Sequence, residues 1–161
     1  MKALIIYCSV HHRNTEKIAR IMGQALAAKV VTPKQVKVYE LHQYECIGFG
    51  SGIYCGKHHT RLLARVNKFP ALNKKVFVFS TSGRGTIGSY HDALKGALVT
   101  AQCEVIGEFS CKGFDTFGPL KFFKGINKDH PTVKDLDDAR VFAQSLGARV
   151  EVAKRNGDSI G

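Results

Sequence analysis

The chain predicts an open parallel α/β sheet with helices on both faces, and three observations carry that reading. Short apolar runs alternate with stretches whose apolar residues recur every three or four positions. The runs, such as ALIIYC at Ala3–Cys8 and VFVFS at Val76–Ser80, are almost unbroken by polar residues, as strands covered on both faces are. Three of them run directly into loops rich in hydroxyls, two of which also carry several glycines. With 161 residues and a hydrophobic share of 44%, the chain suits one domain, residues 1–161, around a substantial core.

The elements follow in order. Lys2–Cys8 is a buried strand. Asn14 or Thr15 caps the helix behind it, Glu16 suits its first turn, and Ile18, Ile21, Met22, Ala25, Leu26 and Lys29/Val30 form its inward stripe. After the breaker Thr32-Pro33, the alternation of VKVYEL predicts a second strand over Val36–Leu41, and CIGFG a third over Cys46–Gly50. His58–Lys68 is a helix that buries Leu62, Leu63 and Val66 and stops at Phe69-Pro70. Val76–Ser80 is a strand, Gly83–Gly88 a loop, Tyr90–Ala101 a helix and Glu104–Ser110 a fifth strand. Val133–Leu146 is a last helix behind a Thr132 cap, and residues 153–161 are expected to form a mobile tail. Lys112–Pro131 shows no periodicity. A loop that long is usually functional, and its four phenylalanines argue against plain disorder.

Composition narrows the function. The longest apolar runs are too short to span a membrane and no signal-peptide pattern precedes the first strand, so a cytoplasmic protein is expected. Five cysteines without any C-x-x-C argue for reduced thiols and against a zinc ribbon or iron–sulfur cluster. Lys and Arg number 24 against 13 Asp and Glu, a net charge of +11 that favours anionic ligands or partners. Nucleic acid is not expected, because no recognised module or aromatic ladder accompanies the charge. His11-His12 and His58-His59 lack the spacing of a metal site, and no metal is expected. Neither G-x-S-x-G nor G-K-[ST] occurs.

In an open parallel sheet, ligands bind beyond the carboxyl ends of the strands. Three loops share that address. Ser9, His11, His12, Arg13, Asn14 and Thr15 bring hydroxyl, amide and cationic donors to a helix N-terminus, a natural phosphate site, although capping alone would need only Asn14 or Thr15. Ser51, Gly52, Ile53, Tyr54 and Gly56 let backbone approach a planar ring, with Tyr54 able to stack on it. Thr81, Ser82, Gly83 and Gly85 open the third loop. Gly83–Gly88 satisfies G-x-G-x-x-G, but it follows the fourth strand and lacks a well-placed acidic partner. A loop edging another ligand is therefore the preferred reading over a dinucleotide fingerprint.

Together these loops resemble the flavodoxin family. Ser9 and Asn14-Thr15-Glu16 are similar to the family's hydroxyl-rich phosphate loop, with His11-His12-Arg13 replacing the usual Thr-Gly and adding one residue. The resemblance implies a three-layer α/β/α sandwich with a five-stranded parallel sheet in the order 2-1-3-4-5. It also implies FMN, with its phosphate on the first loop and its ring between the second and third. Tyr54 stands in for the missing tryptophan, ahead of Tyr90, and a carbonyl within Gly52–Gly56 would turn toward the reduced ring. The expected role is an electron carrier for redox partner proteins, with no catalytic side chain. Arg13, Lys57, Arg61 and Arg84 are expected around the flavin edge and call for a partner with an acidic docking surface. The alternative is a flavin-dependent oxidoreductase acting on a quinone, porphyrinogen or other organic acceptor. Gly50–His59 is also similar to the corresponding loop of menaquinone-dependent protoporphyrinogen oxidases, and Gly113–Phe123 would then cover the ring.

Overall fold

The first strand, β1 (Ala3–Cys8), is buried along almost its whole length and forms the middle of the sheet's first half. A computed structural model describes residues 1–116, 120, 122 and 124–158, the last six as backbone only. Four further strands lie parallel to β1: β2 (Lys29–Val31), β3 (Cys46–Tyr54), β5 (Lys75–Ser82) and β6 (Glu104–Lys112), in the order β2-β1-β3-β5-β6. That is the expected order 2-1-3-4-5. A sixth, two-residue strand, β4 (Lys57–His58), folds back antiparallel on β3.

Helices cover both faces, as continuously apolar strands require. On one face α1 (Asn14–Leu26) and α4 (Val133–Asp158) bury Ile18, Ala19, Met22 and Leu26 with Ala139, Ala143 and Leu146 over Ile5, Phe77 and Phe79. On the other, α2 (Thr60–Val66) and α3 (Asp92–Thr100) set Leu62, Val66, Leu94 and Leu98 over Ile6, Phe49 and Val78. Phe77 and Phe79 lie directly beside Gly48 and Gly50 in register, and a Cβ on either glycine would meet the ring at 2.3 Å. The CIGFG run is thus spaced to accept two rings. Among the described residues no helix is long and apolar enough to cross a membrane.

Several expectations differ from the structure. Ala27 turns left-handed and stops α1, so Lys29 and Val30, expected on the helix, pair with Leu4 and Ile5 as β2. The expected strand Val36–Leu41 is instead a loop and a 3₁₀ turn (Val38–Gln43). Its alternation comes from Val36 and Leu41 packing with Tyr44 into the core. His58 belongs to β4, and α2 starts two residues later because the His59 ring caps it, Nδ1 accepting from Arg61 N–H at 3.1 Å. The helix expected from Tyr90 opens with a 3₁₀ turn, Gly88–His91. At the C-terminus α4 runs on to Asp158, through most of the segment read as a tail, and residues 159–161 lie outside the described residues.

The fit of Phe79 against Gly50 predicts that Gly50→Ala costs about 1–3 kcal/mol through overpacking. Urea denaturation measures it, and an unchanged midpoint would show that the ring has room to move.

Candidate functional site

The parallel register brings the carboxyl ends of β1, β3, β5 and β6 to one edge, where a cleft opens. Ten of the expected residues line it: Ser9, His11, Asn14 and Thr15 after β1, Gly52, Ile53 and Tyr54 at the end of β3, and Thr81, Ser82 and Gly83 at the end of β5. Val10, Gly113, Phe114 and Asp115 complete the wall. The last three were not expected as individual residues. The signal for them was topological, because the unpatterned segment after β6 leaves the sheet at the same edge.

The first loop is held open by its own side chains. His12 and Arg13 both adopt positive φ, 52° and 55°, a conformation non-glycine residues enter at a cost. Each is tied down outside the cleft. The His12 ring packs 4.0 Å from Phe114 with Nε2 2.9 Å from Thr116 Oγ1, and Arg13 pairs with Glu16 at 2.9 Å. Two arginines, Arg13 and Arg20, hydrogen-bond Glu16 and lower its pKa to about 2. Arg13 sits at the N-cap but makes no capping bond. Asn14 and Thr15, expected as caps, are spent elsewhere. Asn14 Nδ2 donates to the Phe114 carbonyl at 2.8 Å, and Thr15 Oγ1 meets Thr81 Oγ1 at 2.9 Å, both across to other strands' loops. The start of α1 therefore faces the cleft without a side-chain cap, leaving its first N–H groups for an anion. Two buried polar atoms there, Ser9 Oγ and Asn14 Oδ1, have no partner among the described residues.

The second loop is a hairpin rather than an open glycine loop. Cys55 and Gly56 have φ of 49° and 77°, the two-residue turn whose twist matches paired strands. Gly56 therefore serves the turn and does not line the cleft. Tyr54 folds back into it, its ring 6.0 Å from His11 and edge-on to His59 at 5.2 Å. Burial, with Cys8 and Asp115 nearby, pushes its hydroxyl pKa up to about 12. Tyr90 is not among the lining residues. In the third loop Gly85 also stays outside the wall, its N–H held by Ser82 Oγ at 2.9 Å. Asn127 Nδ2 fixes the Gly83 carbonyl at 2.7 Å, and Gly113 N–H donates to the Ser82 carbonyl at 2.9 Å.

Ser51 lies behind the cleft. Its hydroxyl donates to the Gly52 carbonyl at 2.7 Å and accepts from His59 N–H at 2.9 Å, with His58 Nδ1 2.9 Å away. The single hydroxyl proton is used on Gly52, so Nδ1 of His58 carries the ring proton. The other nitrogen, Nε2, is buried with no partner. The His58 ring stacks 4.9 Å from His91, which spans Ser80 Oγ at 2.8 Å and Glu108 Oε2 at 2.9 Å. Burial lowers the His91 pKa even though Glu108 hydrogen-bonds it. Among the described residues no three His, Cys, Asp or Glu side chains are arranged to hold a metal ion.

Among the described residues no lysine or arginine lines this cleft. Of the cations expected at its edge, Arg13 faces outward to Glu16, Lys57 is exposed on β4 and Arg84 on its loop, and Arg61 lines a different cleft.

A flavodoxin-domain profile matches residues 4–97, more than half of the chain. The chain belongs to the flavodoxin family. An uncharacterized protein of Methanocaldococcus jannaschii is 44% identical over 147 residues, 91% of this chain and 98% of that protein. Among solved structures, a flavodoxin from the domain Archaea superposes with a TM-score of 0.65 at 19% identity, covering 94% of this chain and 99% of the other. Oxidised Flavodoxin 2 from Bacillus cereus gives 0.66 at 18%, covering 92% and 99%. Family and fold together make this flavodoxin-like chain a flavoprotein of electron transport.

His58 yields a pH prediction. Burial, with His91 beside it, pushes its pKa down to about 3. The unfolded chain takes up that proton near about 6.5, so stability is complete above that value and falls as pH drops toward 3. This residue alone should remove about 2 kcal/mol of unfolding free energy between pH 7 and pH 5. Urea titrations at the two pH values measure the loss, with the His58 NMR signals remaining those of a neutral ring. A His58 that titrates near 6.5 would contradict the buried neutral assignment.

Proposed function

We propose that the cleft binds FMN, with the phosphate against Ser9–Thr15 and the ring between Tyr54 and Thr81–Gly83. The observation that carries this reading is the uncapped start of α1 beside the buried, unpartnered Ser9 Oγ and Asn14 Oδ1. Ser9 can donate to a phosphate oxygen. Asn14 Oδ1 is an acceptor, which suits a ribityl hydroxyl better than the phosphate. With no lysine or arginine in the wall among the described residues, phosphate charge would be met by backbone N–H groups and the helix dipole. When bound, FMN supplies the redox chemistry, taking and releasing electrons one or two at a time.

The chain's own residues set orientation and access. Tyr54 offers a ring face, and His11 and His59 restrict where that ring can swing. Ser51 holds the Gly52 carbonyl, so a carbonyl able to turn toward the flavin has to come from the hairpin, Ile53–Gly56. None of these groups needs to act as an acid or base. We favour a carrier that delivers electrons to redox partner proteins, docking through its +11 surface on an acidic face. Five unpaired cysteines support a reducing cytoplasmic setting. The oxidoreductase alternative rests on the Gly113–Phe123 segment. Gly113, Phe114 and Asp115 do line the cleft, while residues 117–119, 121 and 123 lie outside the described residues.

Titrating apoprotein with FMN, followed by flavin fluorescence, tests the site. Ser9→Ala and Asn14→Ala should each weaken binding by about tenfold, the effect of one lost hydrogen bond to a charged or buried group. Wild-type affinity in both variants would remove the phosphate and ribityl assignments. Electron delivery to an acidic partner should slow as ionic strength rises, and stopped-flow rates that ignore salt would remove the docking proposal.

A further inference from the structure

A second cleft lies between the carboxyl ends of β1 and β2 and the outer side of α2. Its volume is about 590 Å³, a size typical of small-molecule sites. Four cations line it: Lys34 from the turn after β2, and Arg61, Arg65 and Lys68 from α2 and the turn that ends it. Those three are spaced i, i+4, i+7 and share one helical face. No carboxylate stands among the lining residues. Among the described residues none of the four enters an ion pair, whereas Arg13, Arg20, Lys29, Lys37, Lys95, Lys134 and Arg140 all do. Like charges gathered in a concave, partly apolar wall repel one another and focus a positive potential outward, and an entering anion relieves both.

One of the four is already held in place. Arg65 donates from Nη2 to the Val36 carbonyl and lies 5.9 Å over the Phe69 ring, while its buried Nε has no protein partner. Ser9, whose hydroxyl is also unpartnered, forms part of the wall of both clefts, so ligands in the two would lie side by side. Tyr7, Pro33 and Ala64 add apolar surface. None of the four lines the proposed flavin cleft, so these charges are not engaged there.

We infer that this second cleft binds a small organic polyanion, a molecule with two or more phosphate or carboxylate groups on an apolar or ring-bearing body. The inference goes beyond the flavin reading and does not depend on it. Arg61 and Lys68 meet the charged groups from the helix, Lys34 closes from the opposite side, and the apolar patch takes the body of the ligand.

Calorimetric titration of the full chain saturated with FMN, in low salt, tests it with adenosine diphosphate, pyrophosphate, citrate and adenosine as probes. The anions should bind below about 1 mM, and adenosine at least about tenfold more weakly than its diphosphate. The stronger of adenosine diphosphate and citrate then tells whether phosphate or carboxylate is preferred. In about 0.5 M KCl the anion affinities should fall. Arg61→Gln combined with Lys68→Gln should weaken diphosphate binding at least about tenfold while FMN affinity and thermal midpoint stay unchanged. Lys34→Gln alone should give a smaller loss in the same direction. No anion binding at about 1 mM, unchanged affinity in these variants, or displacement of diphosphate by FMN would each overturn the second site. Diphosphate binding in a protein that refuses FMN would keep the second site and sink the flavin reading instead.

Discussion

Parallel pairing of β1, β3, β5 and β6 sets Cys8, Ser51, Ser80 and Ser110 side by side in one row at the carboxyl edge of the sheet. Below the row that face is apolar apart from Glu108, which bonds His91; above it the loops of the site begin. A slip of one residue would turn the serines to the opposite face and bury them among Phe77 and Phe79. The register therefore decides both where the core ends and which residues meet in the cleft. Thr15 reaches Thr81 only because β1 and β5 end at the same height on either side of β3.

The polar row also explains the buried histidines. Ser51 needs its hydroxyl on the Gly52 carbonyl, and His58 and His59 N–H complete its coordination. His58 is then confined to its neutral form in an apolar layer shared with His91. Rigidity behind the cleft is the result. Tyr54 and the hairpin turn project from a backbone anchored at Ser51, His58 and His59.

Charge is divided between two neighbouring clefts in different ways. The first has the start of α1 and, among the described residues, no lysine or arginine in its wall, while the second gathers four cations that form no ion pair among the described residues. Neutral donors hold an anion without a large field, and so leave the potential of a flavin to the ring's own surroundings. Free cations act at longer range and respond to salt. Much of this was legible in the sequence: the sheet order, both helix faces and ten of the cleft residues follow from apolar periodicity and from where the loops fall. The misreadings share a physical cause. Val36–Leu41 alternates because it packs under the sheet edge, and Asn14 and Thr15 look like caps but bond across loops 66 to 100 residues away. His58 carries no local sign of burial, and Arg61 faces a cleft whose far wall, Thr32–Lys34, is distant in the chain. Long-range partners decide each of these.

The central claim is that the cleft beside Ser9, Asn14 and Tyr54 is built for FMN. Its most direct test is mass spectrometry of whatever small molecule acid releases from the purified, folded chain, with the protein's visible spectrum recorded beforehand. The account predicts a yellow protein that releases FMN in a one-to-one ratio with the chain. A colourless protein that releases no flavin and stays colourless when FMN is added would contradict it.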